Sequence, residues 1–169
     1  MHPTIFQRIL AKLNGDATLL NLLGVTTLDP SNPPCFRAQR SFPTKIPSVT
    51  LKEGSFQSTP MPGADKAIDI AGALVTTENP SIQVDVWISS EGGISPDGLS
   101  YPQTGEDADT IVDRINVLLV KDTKNVVQGT MKWNIVSGTQ QYEQDTYLFH
   151  NVVRYQFQYF IESGFVPET

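Results

Sequence analysis

The sequence predicts an α+β fold: a mostly antiparallel mixed sheet, with an N-terminal helical hairpin and one longer amphipathic helix packed on it. Three observations carry this. Residues 81–89 alternate apolar and polar side chains over a full strand length, residues 145–162 alternate with aromatics, and residues 106–121 place apolar side chains at helical spacing. With 169 residues the chain suits one domain, 1–169, large enough to bury about 70% of its unfolded surface without disulfides or a structural metal.

Taken in order, residues 3–14 set Ile5, Phe6, Ile9, Leu10 and Leu13 on one stripe, with Gln7, Arg8 and Lys12 turned away. Asn14-Gly15 ends that helix. Asp16 then caps a second one, whose Leu19, Leu20, Leu22 and Leu23 form an apolar surface that stops at Gly24. The prolines among residues 29–34 exclude a helix or central strand, so a loop spans about 25–45. Within it Cys35 to Ser41 gives a short extended piece, and residues 46–51 follow as a strand with its proline at the start.

Residues 54–66, punctuated by Gly54, Pro60, Pro62 and Gly63, read as a mobile loop. Residues 67–76 fit a strand, a bent hairpin arm or a short helix. In residues 81–89 the Ile82, Val84, Val86 and Ile88 face is core, and the Trp87 face is partly polar. A loop over 91–103 leads to Thr104, which with Asp107 approximates a capping box. The following helix buries Ile111, Ile115, Leu118 and Leu119, with acids at its start and Lys121 at its end, as the helix dipole favours. Residues 130–136 form a short strand. The last segment, 145–162, exceeds the usual strand length, so a bulge or bend is expected near His150-Asn151.

Composition excludes several classes. The N-terminal segment, broken by Gln7, Arg8 and Lys12, does not read as a secretory signal, and nothing approaches a transmembrane length. The lone Cys35 excludes an internal disulfide and has no metal-ligand spacing around it, which fits a reducing cytosol or an assembled particle. A net charge of −6 argues against wrapping duplex nucleic acid, whose binders displace counterions with lysine and arginine. Residues 1–60 carry six basic and three acidic side chains, so the acidity lies in the remainder. That asymmetry is either surface scatter or a head-to-tail contact between a basic and an acidic face.

No constellation points to catalysis. The two histidines are His2, at the terminus, and His150, in the last strand near Tyr147 and Arg154. Asp107, Asp109 and Asp113 lack the glycine-pivoted loop of a calcium site, and no glycine-rich turn precedes a lysine-serine pair. No cofactor is expected.

The order of elements resembles the tail-terminator (tail-completion) proteins of long-tailed bacteriophages. The likeness rests on a helix ending near Leu22-Leu23-Gly24, a proline loop, a strand like Pro47 to Leu51, and a strand like Ile82 to Trp87. An amphipathic helix and a last strand like His150 to Tyr159 complete it. It implies a structural virion protein that assembles with itself as a homohexameric ring on the tail tube protein, ends tube polymerisation and joins the head-tail connector or stopper. DNA would pass through the lumen without specific binding, with no membrane involved. Assembly in the host cytoplasm would place the ring at the head-proximal end of the tail. Arg37, Arg40, Lys45 and Lys52, with Asp107, Asp109 and Asp113, are the candidate subunit or partner contacts, together with loops 54–66 and 91–103. The alternatives are a connector or stopper subunit and, in another class, a small ligand-binding domain or enzyme around His150.

Overall fold

The computed structural model describes residues 3–38, 43, 45–53, 67–68, 74–78 and 80–162. Helix α1 (Pro3–Asn14) and helix α2 (Ala17–Leu22) form the expected hairpin. Asp16 Oδ1 accepts from the Leu19 N–H at 2.7 Å, so the second helix starts where its orphan donors find a partner. Gly24, at φ 74°, follows as the residue that tolerates the left-handed turn.

Strands β1 (Cys35–Arg37), β2 (Ser48–Glu53), β3 (Ala67–Ile68), β4 (Leu74–Glu78), β5 (Ser81–Ser89), β6 (Thr130–Glu143) and β7 (Leu148–Glu162) make one sheet. β1 pairs parallel with β2, and every other pairing is antiparallel, which gives the mixed sheet anticipated. β7 is its spine. One edge carries β5 and then β4, which follow each other across Pro80, a residue with no N–H for the ladder. Its other edge carries β6.

Helix α3 (Gly105–Asn116) begins at Thr104, whose hydroxyl accepts from the Asp107 N–H while Asp107 Oδ2 accepts from the Thr104 N–H at 2.9 Å. A π-helical turn, Val117–Lys121, extends it. The wider turn puts adjacent Leu118 and Leu119 both into the interior. All three helices cover one face. Ile9, Leu13, Leu19, Ile111 and Ile115 meet Leu51, Val84, Val86, Tyr155 and Phe157 there, within a single core. Each such side chain contributes roughly 1.5–3 kcal/mol through burial.

Four expectations shift. The second strand runs 48–53 instead of 46–51. Residues 67–76 resolve into β3 and β4 at the described positions, and the loop expected at 54–66 lies outside the described residues. β6 is twice the predicted length. No break occurs at His150-Asn151, since β7 pairs with β5 without interruption from Leu148 to Gln156. The irregularities fall in β6, between Met131 and Asn134 and between Ile135 and Ser137. Asn151 needs no bulge because its side-chain amide donates to Asp109 Oδ1 at 3.0 Å on α3.

Candidate functional site

Three surfaces have the features of a site: the helix-free face of the sheet, the loops at one of its ends, and the edge of β6. On the helix-free face the strands bring together residues far apart in sequence. Register sets Trp87 between Ser48 and His150, Asp85 between Thr50 and Val152, and Gln83 between Lys52 and Arg154.

Asp85 is the centre of this group, with its side chain 2% exposed. His150 Nε2 lies 2.9 Å from its Oδ1, Gln83 Nε2 donates to the same oxygen at 2.8 Å, and Lys52 Nζ is 3.2 Å from Oδ2. Burial pushes the Asp85 carboxyl upward, but the hydrogen bonds from His150 and Gln83 and the Lys52 charge outweigh it and hold it below the usual carboxylate range. The His150 ring stacks on Trp87 at 3.6 Å with 9° between planes, and Trp87 Nε1 donates to Thr50 Oγ1 at 3.1 Å. The Trp87 face is thus buried, beyond the partly polar face expected.

Chemically the group is a satisfied charge network. Among the described residues, His150 hydrogen-bonds to Asp85 and to no hydroxyl or thiol. The buried Ser48 hydroxyl is on the far side of Trp87, two strands or about 10 Å away. A hydroxyl or thiol nucleophile needs its base within hydrogen-bond reach, and the described residues place none there. No group of three or more metal-ligating side chains occurs among the described residues. No helix among them is long and apolar enough to cross a membrane.

At the end of the sheet where β5 finishes, the 91–103 loop folds back on the helical hairpin. Ser95 N–H donates to Leu99 O at 2.8 Å, Tyr101 N–H to Gly93 O at 2.9 Å, and Thr26 N–H to Asp97 Oδ2 at 2.7 Å. The Tyr101 ring lies against Gly24, where an added Cβ would be 2.8 Å from it. Tyr101 thereby separates two open clefts of about 350 and 290 Å³, the larger lined by Val25, Asp29, Pro34, Pro47 and Asp97.

The sequence-predicted contacts do not form one patch. Arg37 is exposed, 3.6 Å from Glu53. Lys45 donates to the Asn32 carbonyl at 3.0 Å, Lys52 belongs to the Asp85 network, and Arg40 lies outside the described residues. Asp107 caps α3, Asp109 receives Asn151, and Asp113 is exposed on the same helix. Part of the exposed charge sorts by position along the strands, although Glu53 lies at the lysine end and Lys45 lines the larger cleft. Exposed Asp29, Asp97 and Asp145 share the end with the clefts, whereas exposed Lys121, Lys124 and Lys132 surround the turn into β6 at the other. Sequence halves could not reveal this, because the acidic end draws on both and the lysines of the other end come from the half that is acidic in total.

The third surface is β6, which sequence reading cut short. Ile135 is 48% exposed, Val136 51% and Tyr142 45%, and among the described residues this strand pairs with β7 alone. Its second half, Ser-Gly-Thr-Gln-Gln-Tyr, has no apolar alternation to betray a strand.

No family model matches the chain, and no curated protein matches its sequence. Its fold is similar to that of a chain from the virion of a native gene transfer agent (GTA) particle. The TM-score is 0.50 and the identity 13%, and the superposition covers 93% of this chain and 92% of that one.

Proposed function

We propose that this chain is a structural protein of a phage-like virion, and within it a tail terminator: a ring subunit that caps the tail tube, stops its growth and presents its opposite face to the head connector. The observation that carries the reading is the likeness over nearly the whole length to a chain of a virion particle, in the element order that resembles tail terminators. Three features support it. Among the described residues the His150 group has no hydroxyl or thiol in reach, acidic and basic side chains favour opposite ends of the sheet, and a long strand edge has no pairing partner beyond β7. Ends of opposite charge suit a subunit with a different partner above and below, because complementary fields set orientation and encounter rate. Tube, connector and copies of this chain are its partners, and DNA passes through the ring ungripped.

The test is binding of purified protein to assembled tail tubes, imaged by negative stain. Label confined to one tube end, as a hollow annulus, is the expected result. Binding to connector rings with none to tubes would assign the stopper role instead, and binding to neither would end the proposal.

A further inference from the structure

Among the described residues, β6 has few of the devices by which proteins protect sheet edges. Such edges are normally short, charged, bulged, interrupted by proline or covered, because an unpaired row of N–H and C=O groups recruits another strand, and of these β6 has only its two irregularities. From Trp133 to Tyr142 the strand has ten uncharged residues and no proline, a run of about 33 Å. From Asn134 to Tyr142 nearly every side chain is exposed, on both faces of the strand. β1, at the other side of the sheet, is treated differently. The Asn14 side chain accepts from the Cys35 N–H at 3.2 Å and donates to the Cys35 carbonyl at 2.8 Å, closing that edge from within the molecule.

The sequence of β6 says what covers its edge. The uncharged run is flanked by Lys132 on one side and Glu143 on the other. An antiparallel copy of the same strand, with the two-fold at Gly138, brings Lys132 opposite the partner's Glu143 at both ends and sets no like charges together. Ile135 then faces the partner's Gln140. In an unbroken strand those two positions would point to opposite faces. The extra residue at the Ile135/Ser137 irregularity corrects this, since Ile135 pairs with Tyr155 and Gln140 with Asn151, both on the helix-covered side of β7. Gly138, at the centre, presents no side chain to hinder approach.

We propose that two copies of the free protein pair β6 to β6 about a two-fold axis normal to the sheet. This contact is isologous, so it is distinct from the heterologous contacts of a ring and does not rest on the terminator reading. It keeps the edge covered before any larger assembly forms.

Light scattering during gel filtration, from low to high micromolar protein, tests this. The expected mass is twice the 18.6 kDa of the chain, falling toward one chain on dilution. Lys132→Glu and Glu143→Lys should each weaken the dimer at least tenfold, and the double exchange should restore it. Hydrogen exchange on the unaltered protein gives an independent measure: amides 134–142 should slow with rising concentration. A chain that stays monomeric throughout, a dimer indifferent to the charge exchange, or amides 134–142 that slow only when tail tubes are added would each overturn the proposal.

Discussion

Replacing Asp16 by alanine removes, in one step, the oxygen that caps α2 and the carboxylate that grips Arg114 of α3. Arg114 Nε donates to Oδ1 at 2.9 Å and Nη2 to Oδ2 at 2.5 Å, a two-pronged contact that fastens the hairpin to the helix. Loss of an N-cap costs about 1 kcal/mol. Hydrogen bonds to charged groups are worth about 1.5–3 kcal/mol, and the lower end applies because the Arg114 side chain is 30% exposed and partly screened. Asp16→Ala should therefore destabilise by about 2–3 kcal/mol. Asp16→Asn keeps the cap and loses the charge, so about 1–2 kcal/mol is expected.

Urea unfolding followed by tryptophan fluorescence is a suitable assay, since Trp87 and Trp133 are both buried. The pH dependence follows from the same contact. The Arg114 hydrogen bonds are the largest influence on Asp16 and hold its carboxyl below the ordinary 3.8. A depressed folded-state value stabilises the fold above the unfolded pKa, and this is lost as pH falls through the folded one. The gap between the native chain and Asp16→Asn should be full at neutral pH and close below about pH 4. Equal losses for asparagine and alanine, or a gap unchanged on acidification, would refute the ion-pair account.

Cys35 lies within the core, and burial pushes its thiol up to about 12, so the folded protein should react with iodoacetamide at least about 100-fold more slowly than in urea at pH 8. Mass spectrometry of timed samples reads this directly, and equal rates would mean that β1 is not packed as described. Tyr155→Phe deletes a 2.6 Å hydrogen bond to Asn116 and should cost about 1–2 kcal/mol in the same urea assay, because the Asn116 oxygen loses its donor in a partly buried place. A loss under about 0.5 kcal/mol would show that the oxygen finds another partner.

Elements that bury one face were legible in the sequence. β5 and α3 declare themselves through period-2 and helical spacing, and Asp16 and Thr104 mark helix starts through the chemistry of their oxygens. The second half of β6 was not, because a stretch exposed on both faces carries no alternation and is defined by its backbone pairing to β7. The bend placed at Asn151 failed for a related reason. A polar residue on a core face signals irregular backbone only if it lacks a partner, and Asp109, distant in sequence, supplies one. The network around Asp85 was equally hidden, since Lys52, Gln83, Asp85 and His150 converge through strand register alone.

The Tyr101 ring against Gly24, together with the Thr26 to Asp97 hydrogen bond, ties the 91–103 loop to the helical hairpin as one body. Long loops commonly lose conformational freedom when they bind, at roughly 0.5–1.5 kcal/mol for each side chain immobilised. Here much of that loss is already incurred during folding, so a partner arriving at this end would meet a preset relief and be selected by fit.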